Sequence, residues 1–128
     1  LDLAASQSPE SRWIVEGAGG VLVPINESTL MVDFMRQLGL PVLVVSRTTL
    51  GTINHTLLTL EALRARSIVV AGVVLNGLPN VDNRASIETY GRVPVIGNMP
   101  QLDPCNHEAL AQYAQAVDPD ARLASLLS

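Results

Sequence analysis

The sequence predicts an α/β fold in which helices flank a parallel sheet. Two continuous apolar and largely β-branched runs, residues 41–46 and 68–75, are typical of strands buried on both faces. Amphipathic patterns of helical period alternate with these runs, and that alternation implies parallel strands joined by crossovers. The chain has 128 residues, of which 48% are hydrophobic, so we expect one core and a single domain over residues 1–128.

The first predicted strand and helix lie within residues 13–39. Residues 13–15 are a short apolar run that ends at Glu16 and a glycine cluster, and we interpret this run as a strand. Residues 30–38 place apolar side chains on one face at helical spacing. Gly39 could end this helix, and three polar residues could cap its start, namely Asn26, Ser28 or Thr29.

The same alternation continues to residue 117. Residues 41–46 and 68–75 are the second and third predicted strands, with a helix over 52–66 between them. The residues expected on the inward face of that helix are Ile53, Leu57, Leu60 and Leu63. The last three predicted elements are a helix at 83–91, a short strand at 93–97 that suits a sheet edge, and a helix at 107–117.

Composition argues against several classes of function. The net charge of −4 and the scattered basic residues argue against a nucleic-acid partner. No apolar run reaches the roughly 18 residues of a membrane span. The only cysteine, Cys105, cannot form an internal disulfide, and the first residues show no signal-peptide pattern. We therefore expect a soluble, cytoplasmic protein that binds neither nucleic acid nor membrane.

The candidate binding segments follow from the fold class. In open parallel sheets, ligands lie beyond the carboxyl ends of the strands. The segments that come next after the four predicted strands are residues 16–20, 46–52, 76–79 and 98–102.

Residues 15–20, VEGAGG, place one carboxylate beside three glycines. Glycine permits positive φ and a close approach of backbone to a phosphate, and the Glu16 carboxylate could hold Mg²⁺, which prefers oxygen ligands. The alternative is a tight turn with a solvated Glu16, and the segment alone favours neither. It is neither a GxGxxG fingerprint nor a GxxxxGK[ST] phosphate loop.

Residues 46–56, SRTTLGTINHT, predict a polar turn that leads into a helix. Unpaired amides at a helix N-terminus attract anions, so a substrate carboxylate or phosphate could bind there. The amides expected to be free are those of Gly51, Thr52 and Ile53. The alternative is ordinary capping by Thr49 or Thr52, which this segment alone favours. We interpret His55 as structural, with a bond to a neighbouring backbone group.

Two later segments could form a base-binding slot. Asn76 ends a predicted buried strand and could read a purine edge, although Asn-Gly is also a strong turn signal. Two prolines within residues 96–104 could wall such a slot, or this loop could be a plain surface connection. Cys105 and His107 lack an orienting acid, so we assign them no catalytic role.

In this order, these stretches resemble the dethiobiotin synthetase family of the P-loop NTPase superfamily. The resemblance spans residues 13–117, and its specific feature is the pairing of EGAGG with LGTINHTLLT about thirty residues later. It implies ATP-dependent conversion of 7,8-diaminononanoate and CO₂ to dethiobiotin, ADP and phosphate. A carbamate forms on the diamine, ATP phosphorylates the carbamate, and the second amine closes the ring. The resemblance also implies Mg²⁺ and a homodimer.

The resemblance assigns roles residue by residue. It makes Glu16 a Mg²⁺ ligand and places the phosphates and diamine along Gly17, Ala18 and Gly19. It places adenine against Asn76 and Gly77, bordered by Pro100, Gln101 and Leu102. The diaminononanoate carboxylate is assigned to Leu50, Gly51, Thr52 and Asn54.

The resemblance further implies that the N-terminal half of the family's domain, with its strands and phosphate loop, is missing. All eight basic residues of the chain are arginine, so the lysine of such a loop is absent too. We expect the isolated chain to bind ATP weakly, to be inactive, and to need that half. The alternatives are a non-catalytic dimerisation or binding module of the family, or another P-loop ATPase relative.

Overall fold

The structure is a computed structural model and describes residues 13–117. Its elements are β1 (Pro24–Asn26), β2 (Thr29–Leu30), α1 (Met31–Leu38), β3 (Val42–Arg47), α2 (Thr52–Arg64), β4 (Val70–Asn76), α3 (Val81–Gly91), β5 (Val95–Met99) and α4 (His107–Val117). Strands β3, β4 and β5 form a parallel sheet in that order, and β1 and β2 form a separate antiparallel hairpin. The predicted α/β fold with a parallel sheet is confirmed, and β5 lies at the sheet edge as expected. No helix within residues 13–117 has the length and apolar character of a membrane span.

The predicted strand at residues 13–15 is wrong. These residues have no regular structure, and Trp13, Ile14 and Val15 are 48%, 81% and 41% exposed. A strand exists only where a neighbour accepts and donates its backbone hydrogen bonds. On this side of the sheet β3 is the last strand among the described residues, so the apolar run finds no partner there.

Helix α1 is capped differently at its two ends. The predicted caps are wrong, because the N-cap is Leu30, whose N–H donates to Oδ2 of Asp33 at 3.0 Å. Asn26 instead closes the preceding hairpin, where its Oδ1 accepts from the N–H of Ser28 at 3.0 Å. Gly39 ends the helix as predicted, with a left-handed φ of 66°.

The core lies where α2 packs against the sheet and α3. Its fully buried side chains include Leu60 and Leu63 of α2, both predicted to face inward, whereas Ile53 and Leu57 are only partly buried. Gly91 lets the two helices approach closely, since a Cβ there would lie 2.8 Å from Cδ1 of Leu60. Burial of this apolar surface is the main force that holds α2 on the sheet.

One face of β3 is open among the described residues. Val44 and Ser46 are buried on the side that α2 covers. The alternating side chains of Leu43 and Val45 are 44% and 63% exposed. Strands of parallel sheets are usually covered on both faces, so this apolar face is unusual.

Three arginine side chains form contacts near the amino ends of β4 and β5. Each arginine lies in a helix or just after one, and it donates to a backbone carbonyl or to a carboxylate. The three contacts are Arg66 Nε to Asp33 Oδ1 at 3.3 Å, Arg64 Nη2 to Gly91 O at 2.6 Å, and Arg84 Nη2 to Val95 O at 2.8 Å.

Candidate functional site

The carboxyl ends of β4 and β5 are joined by hydrogen bonds. The N–H of Gly77 donates to the carbonyl of Met99 at 2.8 Å. Nδ2 of Asn98 in turn donates to the carbonyl of Gly77 at 3.0 Å. The segments predicted to border adenine, residues 76–79 and 98–102, are therefore neighbours in the structure.

The loop after β3 touches the loop after β4. Gly77 has a φ of 134°, and a Cβ there would overlap Oγ1 of Thr48. Nδ2 of Asn83, in the first turn of α3, donates to the carbonyl of Thr48 at 3.0 Å. Three of the four predicted segments thus meet at one edge of the sheet.

The N-terminus of α2 has no side-chain cap. Its N-cap is Gly51, with a left-handed φ of 91°. The predicted capping by Thr49 or Thr52 is wrong, because the hydroxyl of Thr52 turns back and donates to the carbonyl of Arg47 in β3. A hydroxyl used in this way leaves the first-turn amides without an acceptor.

The set of free backbone amides at the start of α2 differs from the predicted set by one residue. The N–H of Thr52 donates to the carbonyl of Thr49 at 3.2 Å, so it is not free. Within residues 13–117, the N–H groups of Gly51, Ile53 and Asn54 donate to no acceptor. A helix end with three such donors presents a partial positive charge to an anion.

A shallow groove runs beside these amides, between the starts of α2 and α3. It contains all four residues that the sequence assigned to a substrate carboxylate, and three that it did not. The lining residues are Leu50, Gly51, Thr52, Ile53, Asn54, Leu57 and Asn83. The groove therefore combines apolar side chains with backbone N–H donors at one end.

Asn83 was not among the predicted site residues, although it is the first residue of the helix predicted at 83–91; the observed helix begins two residues earlier. Oδ1 of Asn80 accepts from the N–H of Asn83 at 2.9 Å, which is a helix N-cap. Asn80 followed by Asn83 is a readable capping signal. The start of a helix that follows a parallel strand lies at the ligand edge of the sheet, and this rule could have identified Asn83.

The side chain of Asn76 is exposed and bonds to no group within residues 13–117. The alternative, in which it supports its own turn, is therefore not observed. In the loop after β5, Pro100 and Leu102 are partly buried and Gln101 is exposed. The His55 ring lies next to Gly51 without a hydrogen bond to any described residue, so its predicted backbone bond is wrong.

Two of the three glycines after Glu16, Gly17 and Gly19, pack closely against α1 and against Val23, the residue before β1. A Cβ on Gly17 would lie 3.3 Å from Sδ of Met31, and one on Gly19, whose φ is 78°, would lie 2.9 Å from Cγ2 of Val23. Glu16 is exposed, and no hydrogen bond within residues 13–117 joins it to the other three segments.

Across the described part of the chain, no group of three His, Cys, Asp or Glu side chains could hold a metal alone. Mg²⁺ commonly uses one or two carboxylates together with water and substrate phosphates. A single exposed carboxylate beside a glycine turn fits that kind of donor set, so Glu16 is compatible with a shared magnesium site.

Comparison with known proteins places the chain in a family. A family model described as an AAA domain matches residues 2–109. The ATP-dependent dethiobiotin synthetase BioD of Paramagnetospirillum magneticum is 55% identical over 104 residues, which are 80% of this chain and 51% of that protein. The BioD of Lawsonia intracellularis is 50% identical over 92 residues, 72% of this chain and 45% of that protein.

A longer relative matches along the full chain. The biotin biosynthesis bifunctional protein BioCD of Bordetella avium is 50% identical over 130 residues, covering 100% of this chain and 27% of that protein. The chain spans about half the length of the single-function relatives named above.

The parallel sheet, its flanking helices and the cluster of loops at its carboxyl edge define an α/β protein of the P-loop NTPase type. Together with the match along residues 2–109 and the relatives at 50–55% identity, they show that the chain belongs to the AAA domain family and, within it, to the dethiobiotin synthetase family.

Proposed function

We propose that this chain supplies part of the site for ATP-dependent formation of dethiobiotin in the biotin pathway. The reaction converts 7,8-diaminononanoate, CO₂ and ATP to dethiobiotin, ADP and phosphate through a phosphorylated carbamate. Support comes from the names of the relatives and from the groove at the start of α2.

The uncapped start of α2 carries the proposal. Leu50, Gly51, Thr52 and Asn54 bind the carboxylate of diaminononanoate, which accepts from the free amides of this turn. The hydroxyl of Thr52 donates to the carbonyl of Arg47, so no side chain among residues 13–117 competes with a carboxylate for these donors. Ile53 and Leu57 offer apolar contact to the aliphatic chain of the acid.

Adenine lies against the loops after β4 and β5. The unpaired amide of Asn76 offers both a donor and an acceptor to the base, and Gly77 borders the base beside it. Pro100, Gln101 and Leu102 border the base on the side of β5. The hydrogen bonds between Gly77, Asn98 and Met99 hold these two loops together.

Glu16, Gly17, Ala18 and Gly19 form the phosphate and diamine region. The Glu16 carboxylate is a ligand for Mg²⁺, which supplies charge neutralisation to the phosphate oxygens when bound. The exposed position of Glu16 and the absence of an ion pair to it within residues 13–117 support this role.

A complete site needs a polypeptide with a GxxxxGK[ST] phosphate loop. The chain contains no lysine, and the single-function relatives are about twice as long as the part that it matches. We propose that this second part belongs to the same or another chain, that the assembled protein is a cytoplasmic homodimer, and that the isolated chain binds ATP weakly.

Reconstitution tests the proposal. The chain is mixed with the N-terminal half of the Paramagnetospirillum magneticum relative, and dethiobiotin formed from diaminononanoate, ATP and bicarbonate is measured. We expect activity that depends on both parts, and a fall in kcat of about 100-fold or more in Glu16→Gln, because a ligand of the phosphate-neutralising ion is lost.

Glu27→Gln is the matched control, since Glu27 is an exposed glutamate in the hairpin turn, and it should retain full activity. Full activity in Glu16→Gln would remove the magnesium role. Binding of diaminononanoate without dethiobiotin formation would instead support a non-catalytic binding module.

A further inference from the structure

A buried pair of hydroxyl groups lies beneath the start of α2. Ser46 in β3 is 8% exposed and Thr56 in α2 is 2% exposed. Oγ1 of Thr56 donates to Oγ of Ser46 at 2.8 Å. Burying a hydroxyl is unfavourable unless it is hydrogen-bonded, so this pair must be satisfied internally.

A second hydroxyl contact lies one helical turn before the first. Thr52 and Thr56 are four residues apart, so they occupy the same face of α2. Thr52 donates to the carbonyl of Arg47, and Thr56 donates to the side chain of Ser46, the residue before it in β3. Two consecutive turns of the helix are therefore bonded to two consecutive residues of the strand.

These two hydrogen bonds fix the orientation of α2 on β3, which apolar packing alone does not. Hydrophobic burial is non-directional, whereas a hydrogen bond fixes both a distance and an angle. With two such bonds, the first turns of α2 can neither rotate about the helix axis nor slide along the strand without breaking one of them. The directions of the free amides of Gly51, Ile53 and Asn54 are fixed by the same constraint.

We propose that Ser46 and Thr56 are positioning residues of the carboxylate site. Neither touches the substrate; together they aim the amino-terminal turn of α2, whose amides bind the carboxylate. The inference rests on the proposed function for the identity of the acid. It goes beyond that function by assigning a role to two buried residues outside the binding set.

The test compares four variants of the full chain. Thr56→Val keeps the volume and removes the hydroxyl, Ser46→Ala removes the acceptor, and Thr56→Ser restores the hydroxyl without the methyl group. Thr59→Val is the control, a threonine-to-valine change on the same helix at a side chain without a hydrogen bond to any described residue.

Two quantities are measured for each variant. The first is the set of backbone amide resonances of Gly51, Ile53 and Asn54 in the chain alone. The second is KM and kcat of the reconstituted protein for diaminononanoate and for ATP. We expect Thr56→Val and Ser46→Ala to shift those amide resonances and to raise KM for diaminononanoate about tenfold, or about 1.4 kcal/mol. We expect kcat and KM for ATP to change by less than about twofold, the range for a site left intact.

Thr56→Ser should stay close to the unmodified protein in both measurements. A Thr56→Val protein that melts earlier but keeps its amide resonances and KM would show a purely structural role and overturn the proposal. If the unmodified reconstituted protein does not use diaminononanoate, the proposed function fails by itself. The amide resonances still decide the positioning role, because they are measured without substrate. If Thr56→Val does not fold, Ser46→Ala and Thr56→Ser supply the same comparison.

Discussion

At the scale of single residues, Gly77 is the point where three loops of the site meet. Its N–H bonds to Met99, its carbonyl accepts from Asn98, and its missing side chain leaves room for Thr48. A φ of 134° is a conformation that residues with a side chain rarely adopt. The shape of the proposed adenine region therefore depends on one residue having no Cβ.

Gly77→Ala should therefore disturb both stability and binding. The added Cβ meets Thr48 and strains the backbone, and we expect the free energy of unfolding to fall by about 2 kcal/mol. KM for ATP in the reconstituted protein should rise more than KM for diaminononanoate. Urea unfolding and steady-state kinetics measure the two effects.

Gly20→Ala is the control for that change. A Cβ on Gly20 meets no atom within 4 Å, so this variant should behave like the unmodified chain. Equal stability of Gly77→Ala and Gly20→Ala would show that the loop relaxes around the extra atom.

Sequence reasoning placed several candidate site residues in the correct local structure, but it did not predict their hydrogen bonds. Gly51 and Asn54 could be placed at a helix start, because a polar glycine turn after a buried run marks that position. The hydroxyl of Thr52 was expected to cap the helix, and it bonds to β3 instead. That choice depends on how close the strand lies to the helix, a tertiary distance that no local pattern contains.

At the scale of elements, the predicted helices and the three sheet strands are present, with ends that shift by up to two residues. The prediction of a strand at residues 13–15 was wrong because a strand needs a neighbouring strand for its backbone hydrogen bonds, whereas a helix forms these bonds within itself. The start of α1 was also misassigned, because its cap is the carboxylate of Asp33 inside the first turn rather than a polar residue before it.

This cap makes the stability of α1 depend on pH. The hydrogen bond from the N–H of Leu30, together with Arg66, lowers the pKa of Asp33 below its ordinary value of 3.8. A lowered folded-state pKa contributes stability that is present above the ordinary value and is lost as the pH falls through the folded value. Melting temperatures measured from pH 6 downward should therefore drop below about pH 4, and Asp33→Asn should show a smaller drop.

Asp82→Asn provides the comparison for the acid titration. Asp82 lies in the first turn of α3 and accepts no hydrogen bond from any described residue, so its replacement should leave the acid-side drop unchanged. An unaltered drop in Asp33→Asn would mean that other carboxylates account for the acid sensitivity.

At the scale of the whole molecule, β3 has a strand partner on only one side within residues 13–117, and it presents an apolar face. Leu43 and Val45 are exposed on that face, and Trp13, Ile14 and Val15 are exposed too. An exposed flat strand edge invites pairing with another chain. The same surface suits the proposed second polypeptide, which would extend the sheet beyond β3.

The isolated chain should therefore self-associate, and Val45→Lys should reduce the association, because a charge on an edge strand opposes pairing. Sedimentation velocity at increasing protein concentration measures the effect. Leu58→Lys, which changes an exposed leucine on α2, should associate like the unmodified chain. A chain that stays monomeric at high concentration would contradict the open-edge interpretation.

The arginine contacts at the amino ends of β4 and β5 have a further consequence for the molecule as a whole. Among these contacts, the ion pair between Arg66 and Asp33 weakens as ionic strength rises, because mobile ions screen charges over about 10 Å at 0.1 M salt. The opposite edge of the sheet is held by neutral partners, Asn83 with Thr48 and Asn98 with Gly77. Added salt should therefore weaken one contact at the amino edge of the sheet, and it should leave the neutral hydrogen bonds at the carboxyl edge unchanged.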